Sequence, residues 1–342
     1  MLQNSLMAEV TKLTSEGRLT EATSLLRSMH SIPQSGPEFG RETMPDTPLH
    51  LDERCPGRFE WRSHSGESGT LRYKIYIPSG RPVSGLPVVV MLHGCKQTPD
   101  DFALGTGMNL LAEEKSFLAV YPAQTGQSNV SRCWNWFQKN CQHRERGEPD
   151  LIAGLTRKVC AEFSADTSKV YIAGLSAGGA AAANIGLLYP DVFASIGVHS
   201  GLASGAASDL PSALAAMRGG GATTIAGAKA VPTIVFHGDG DSTVNVINAR
   251  QVSQQATEGL DTYVVTDKGS FGNLSFTRTI HTLDSGVSML EEWIVHGGSH
   301  AWFGGDPRGT YTTGGPDASR EMCRFFFEHR LASVARNSPK SP

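Results

Sequence analysis

No apolar run in this 342-residue chain is long enough to cross a membrane as a helix, so a transmembrane segment is not expected. Neither sign of charge dominates. Thirty Lys and Arg stand against 33 Asp and Glu, a formal net charge of -3, which leaves nucleic acid and anionic membrane without an electrostatic footprint as main partners. The N-terminus, "MLQNSLMAEVTKLTSEGRL", has neither a basic n-region nor an apolar h-region. It therefore gives no secretory signal, and the cytoplasm is the expected compartment. Cysteine is sparse: Cys55, Cys95, Cys133, Cys141, Cys160 and Cys323 are scattered, with no CxxC pair and no His/Cys cluster of zinc-finger spacing. Neither a structural metal nor a disulfide scaffold is expected from that distribution.

Glycine is what the chain has in excess, 38 residues where an average protein of this length would carry roughly 7%. The surplus falls at the ends of short apolar runs, as in an enzyme with many functional turns. Leu2, Leu6, Val10 and Leu13, then Leu19, Ala22, Leu25, Leu26 and Met29, recur at helical spacing around Gly17, which predicts a helical pair over 1–30. Residues 31–57 are rich in Pro, Gly and charge and read as a linker, so 1–57 form an appendage. The main domain is expected over 58–334, with a flexible tail at 335–342. Within it "LRYKIYIP" (71–78), "LPVVVMLHG" (86–94), "FLAVYP" (117–122), "KVYIAGL" (169–175), "FASIGVHSG" (193–201) and "VPTIVFHGDGD" (231–241) read as strands. "MNLLAEEK", "PDLIAGLTRKVCAEF" and "AAAANIGLLY" lie between them at helix length. Then comes a strand, "VSMLEEWIVHGGSH" (287–300), and a closing helix, "ASREMCRFFFEHRL" (318–331). Alternating strands and helices give an α/β domain with a mainly parallel sheet and helices on both faces.

One corner stands out. Gly174-Leu175-Ser176-Ala177-Gly178 fits G-x-S-x-G between a predicted strand and a predicted helix, the setting of a nucleophile elbow. So tight a turn needs small neighbours, and Gly174, Ala177, Gly178 and Gly179 supply them. A serine hydroxyl is a poor nucleophile unless a base takes its proton and a carboxylate orients that base. On such a fold the order is Ser, acid, His. "DGDSTVN" after the 231–238 strand offers Asp239 and Asp241; Asp241, deeper in the loop, is the preferred acid, and Asp239 is assigned to the turn. His300, late in the chain in the glycine-flanked loop "HGGSHAWFGG", is the preferred base over His296, which ends the strand. His281 reads as a surface residue and His237 as packing beneath the acid loop. The oxyanion donors expected are the N–H groups of Ala177 and, from "LHGCKQ", Cys95, with His93 and Gly94 shaping that loop.

With "LHGCKQTPDDFA", "RCWNWF", "GLSAGGAAAANIGLLYPDVFASIGVHSG", "HGDGDSTVN" and "GGSHAWFGG", the stretch from about 70 to 330 resembles the poly(3-hydroxybutyrate) depolymerase-type esterases of the α/β-hydrolase superfamily. The same family is similar to feruloyl and acetylxylan esterases. The resemblance implies an α/β-hydrolase fold, Ser176 as nucleophile, Asp241 as acid, His300 as base and Cys95 beside the oxyanion hole, with no cofactor or metal. It implies the intracellular branch, acting on the hydroxyalkanoate polymer or its oligomers, or alternatively on an aromatic or sugar ester. It further implies a bridge between Cys95 and Cys133, with Cys133–Cys141 as the competing pair; a lasting bridge would be unusual in a reducing cytosol.

On the substrate side Trp134, Trp136, Trp302 and Leu202 are the expected pocket-lining residues. Trp136 reads equally as core, and Leu202 and Met217 as packing. "GLASGAASDLPSALAAMRGGG" occupies a cap-like place (about 201–230), and its composition reads as a small mobile flap. The apolar stripe of residues 1–30 offers a contact with a polymer granule or with a second subunit.

Overall fold

Strand β3 (Val88–Leu92) is buried at every position, and alternate residues feed opposite sides of the sheet. Val88, Val90 and Leu92 belong to one apolar core, Val89 and Met91 to the other. That double coverage is why the sequence shows a continuous apolar run instead of alternation. In the computed structural model, which describes residues 54–80, 82–222 and 230–332, the same holds for β4 (Leu118–Pro122), β5 (Val170–Leu175), β6 (Ser195–His199) and β7 (Thr233–Gly238), all buried throughout. All described residues belong to one unit, Leu49–Pro342. The expected helices over 1–30, the linker up to residue 53 and the tail 335–342 lie outside the described residues.

These strands and β10 (Ser288–His296) form the parallel middle of a ten-stranded sheet. Its order is β1-β2-β4-β3-β5-β6-β7-β10-β9-β8. Antiparallel hairpins flank it: β1 (Arg58–Gly66) with β2 (Gly69–Ile77), and β8 (Tyr263–Phe271) with β9 (Leu274–Thr282). The mainly parallel sheet read from the sequence is therefore present, with antiparallel margins.

Helices cover both faces. On the side of Val89 lie α1 (Pro99–Thr106), α2 (Met108–Lys115) and the closing helix α7 (Ala318–Phe327). On the side of Val88 lie α3 (Gly147–Glu162), α4 (Ala177–Leu188), α5 (Leu210–Gly219) and α6 (Ile247–Thr257). Local signals set their ends. The Thr98 hydroxyl caps α1 by accepting from the Asp101 N–H at 3.2 Å, Pro99 opens the helix, and Gly107 closes it at φ 63°, as capping rules require. Helix α4 is built of alanine and glycine because it lies close on the sheet: a Cβ at Gly186 would enter the Ile196 side chain.

Of the cap-like segment, residues 223–229 lie outside the described residues. Residues 201–204, 206 and 207 are buried, and α5 follows with a capping box between Asp209 and Ser212. Small residues here serve close packing. Among the described residues no helix is long and apolar enough to cross a membrane.

Candidate active site

Four loops matter, and all leave the carboxyl ends of parallel strands: 93–97 after β3, Ser176 after β5, 239–245 after β7 and 297–301 after β10. A parallel sheet gathers such loops along one edge, where ligand sites of open α/β folds lie.

Ser176 sits at φ 56°, ψ -119°, a backbone region that costs a non-glycine residue roughly 1–3 kcal/mol and persists only when its surroundings enforce it. They do. Its N–H donates to the His199 carbonyl at 2.9 Å, and its carbonyl accepts from Ala180 at 2.9 Å. A Cβ at Gly174 would run into the Gly178 carbonyl, and one at Gly178 into the carbonyls of Leu92 and His93. The elbow is therefore clamped between its own first helical turn and the β3 loop.

Asp241 has a side chain with no exposure, and His300 one with 13%. His300 Nδ1 and Asp241 Oδ2 are 2.6 Å apart. Since the ionised carboxylate can only accept, the imidazole donates from Nδ1, which leaves Nε2 as the basic atom. The other carboxylate oxygen accepts from the Thr243 and Val244 N–H groups, both at 2.8 Å. Burial alone would raise the Asp241 pKa; the bond from His300 and those backbone donors outweigh it and hold the group below the usual carboxylate range. His237 packs beneath, fully buried, donating from Nε2 to the Val244 carbonyl at 2.8 Å. Burial keeps it neutral, so Asp241 faces one cation-forming partner, His300. Among the described residues the Ser176 hydroxyl makes no hydrogen bond, so the dyad is joined here and the serine contributes its position.

A second Asp–His pair joins the 239–245 loop to the end of β10. Asp239 Oδ2 and His296 Nδ1 are 2.8 Å apart, and the other Asp239 oxygen accepts from the Gly297 N–H at 2.6 Å. Asp239 thus reaches across to the end of β10 rather than shaping its own turn, the role read for it from the sequence. Its side chain is 39% exposed and that of His296 42%, so water screens this pair as it cannot screen the buried one.

The β3 loop has one N–H to spare. Gly94 donates to Gln97 Oε1 at 2.8 Å, Lys96 to the Ser131 carbonyl at 2.7 Å and Gln97 to the Gly94 carbonyl at 3.3 Å. Among the described residues the Cys95 N–H has no protein acceptor, nor has that of Ala177 at the start of α4. His93 fixes this loop from below: its ring donates from Nδ1 to the Gly94 carbonyl at 2.7 Å and accepts at Nε2 from the Gln124 N–H at 3.1 Å. Burial pushes its pKa down to about 4. Unfolded, the same ring would titrate near 6.5, so between pH 6.5 and 4 the unfolded chain binds the extra proton and stability falls as pH falls. His93 alone contributes a loss on the order of 3 kcal/mol across that window, and His199 and His237, both lowered by burial, act in the same direction. Urea midpoints at pH 7 and pH 4.5 are the check: the drop should be smaller in His93→Gln, and an equal drop would remove His93 from the account.

Cys95 and Cys133 are joined, with Cα atoms 4.2 Å apart. Cys141, the competing partner, keeps a buried thiol whose pKa burial pushes up to about 12. The bridge ties the β3 loop to the segment that carries Cys133.

The expected pocket residues need correction. Trp134 is fully buried and donates its indole N–H to the His93 carbonyl at 3.0 Å. Trp302 is 1% exposed, stacks on His199 and donates to Ser319 Oγ at 2.9 Å. Both rings are spent on holding loops together. Trp136, edge-on to Phe137, and Leu202 are likewise buried in the core. Sequence reading missed Glu148, whose half-buried carboxylate accepts from the Asn135 N–H at 2.8 Å and from Asn135 Nδ2 at 2.7 Å, and also from Gln124. It supports the loop that carries Cys133, and nothing local to it in the chain announces that role. Among the described residues no three His, Cys, Asp or Glu side chains are placed to share a metal ion.

Comparison with known proteins agrees in fold and family. The family model described as "Esterase PHB depolymerase" matches residues 71–268, a stretch that includes Cys95, Ser176 and Asp241 and ends before His300. The chain is 31% identical over 250 residues to poly(3-hydroxyalkanoate) depolymerase C of Paucimonas lemoignei, covering 68% of this chain and 58% of that one. It is 32% identical over 142 residues to a probable acetylxylan esterase A of Neosartorya fischeri, covering 41% of this chain and 37% of that one. The chain thus spans little more than half of the first relative and less of the second. Among solved structures, an acetyl xylan esterase from Aspergillus awamori superposes with a TM-score of 0.61 at 17% identity, covering 79% of this chain and 99% of that one. At that identity the likeness speaks for the α/β-hydrolase fold alone.

Proposed function

The chain belongs to the PHB depolymerase esterase family, and on that footing we propose that it is a serine ester hydrolase acting on poly(3-hydroxybutyrate) or its oligomers. The observation that carries the reading is the buried Asp241–His300 pair at the same strand ends as a serine held at positive φ. Ser176 attacks the ester carbonyl while His300 Nε2 takes its proton. Asp241 then faces the imidazolium and stabilises it through the Nδ1 hydrogen bond. The N–H groups of Cys95 and Ala177, which have no protein acceptor, receive the negative charge on the carbonyl oxygen, the step in which fixed donors contribute most. His300 returns the proton to the leaving alcohol; water, activated by the same imidazole, releases the acyl group from Ser176. The chemistry calls for no cofactor.

A second reading, a carbohydrate esterase removing acetyl or feruloyl groups, is favoured by the acetylxylan esterase relative. Both readings share the triad and differ in what the loops admit. Turnover of amorphous poly(3-hydroxybutyrate) and its soluble oligomers, measured beside methyl ferulate and acetylated xylan, separates them. Release of hydroxybutyrate is the expected result; activity confined to the aromatic or sugar esters would transfer the chain to the second reading.

A further inference from the structure

The loop that meets the oxyanion loop carries an unused charge. Residues 129–133 run from Asn129 to Cys133, and the bridge to Cys95 fixes their end beside the candidate oxyanion donor. The Arg132 guanidinium donates from Nη2 to the Lys96 carbonyl at 3.3 Å, so its position is set one residue from Cys95. Arg132 and Lys96 both hold positive φ, 51° and 67°, uncommon for residues with a side chain and a mark of functional corners. Paired backbone bonds, Arg132 N–H to the Asn129 carbonyl and Lys96 N–H to the Ser131 carbonyl, both at 2.7 Å, keep the two turns together. Among the described residues neither cation forms an ion pair. The acids nearby in sequence are engaged elsewhere, Asp100 by Lys74 and Asp101 by Gln97 and Thr310. Next to Arg132, Val130 is 86% exposed. The loop therefore carries an exposed apolar residue and, among the described residues, a guanidinium without an ion-pair partner.

We propose that Arg132, with Lys96 behind it, is a specificity residue that receives a free carboxylate on the alcohol side of the scissile ester, and so directs the enzyme to the carboxyl-terminal end of short hydroxyalkanoate chains. This rests on the ester-hydrolase reading of the same site. In the last unit of a linear 3-hydroxyacid oligomer the carboxylate is separated from the ester oxygen by only two carbons. A group that close to the scissile bond must lie near the oxyanion loop when the carbonyl oxygen does. A guanidinium suits it because its planar donors match both carboxylate oxygens. The methyl branches of the chain fit the exposed Val130. The interior of a polymer and an acetylated sugar have no such charge to offer.

The experiment compares kcat/KM for the 3-hydroxybutyrate dimer as free acid with that for its methyl ester, with p-nitrophenyl butyrate as a general ester control. The native enzyme should prefer the free acid by about tenfold, and the preference should shrink as salt is raised. Arg132→Gln should bring the ratio to about one, and Arg132→Lys should keep part of it. A ratio near one in the native enzyme, or one that Arg132→Gln leaves untouched, overturns the inference while the hydrolase reading stands. Cleavage of p-nitrophenyl butyrate with neither dimer turned over overturns the inference together with the hydroxyalkanoate reading. Should Arg132→Gln not fold, the native ratio and its salt dependence decide the matter alone.

Discussion

Alanine at position 176 is expected to lower kcat on a soluble ester by about a million-fold, leaving only what binding and the oxyanion donors provide. The expectation follows from the elbow. Ser176 is held at φ 56° by contacts that do not involve its hydroxyl: the His199 carbonyl on its N–H, the Ala180 N–H on its carbonyl, and the glycines around it. Removing Oγ should leave that backbone in place, so the folded protein survives and the chemistry does not. Steady-state rates with a thermal melt alongside would check it. A variant that keeps a tenth of native turnover would mean that another nucleophile is at work.

The second large effect separates the two Asp–His pairs. Asp241→Asn should cost about 10⁴-fold in kcat, because an amide in that place no longer holds the imidazole with its proton on Nδ1. Asp239→Asn should cost less than about fivefold, the range of a solvent-screened ion pair. Sequence distance does not distinguish them, since the two acids lie two residues apart in one loop, and the two histidines lie four apart, at the end of β10 and in the loop after it. Burial does: the Asp241 side chain is fully covered and that of Asp239 is 39% exposed. Comparable losses in both variants, with the folds intact, would mean that the assignment of the acid is wrong.

How legible this was depends on whether the deciding interaction is local. Strands β3, β5, β6 and β7 announce themselves because both faces are covered and every residue must be apolar. Strand β8 does not. Its residues are mostly exposed, its pattern is that of an accessible edge, and only pairing with β9 makes it a strand. The elbow was readable because its steric demand falls on immediate neighbours, and small residues at 174 and 177–179 are a local trace. The pairing of an aspartate after β7 with a histidine after β10 is legible because those strands are neighbours in the sheet.

The rest turned on partners far along the chain. Trp134 and Trp302 stand beside site motifs and read as pocket walls, but their indole N–H groups are taken by the His93 carbonyl and Ser319. Buried indoles seek such acceptors, and no periodicity reveals which acceptor folding will bring up. Asp239 was read as a turn residue for the same reason, its partner His296 belonging to another strand. Small residues at 201–207 read as a flap from composition, which does not announce that six of the seven are buried. Cys95 and Cys133 were named as a pair through the resemblance, and their bridge now gives the Arg132 loop its fixed place.

The central claim is that one serine at one corner carries the reaction. A fluorophosphonate that phosphonylates activated serines, followed by peptide mass mapping, tests it most directly. The account expects one adduct per chain, on Ser176, forming at a rate that falls by orders of magnitude in His300→Ala. An adduct on any other residue, or labelling of Ser176 that is indifferent to His300, would contradict it.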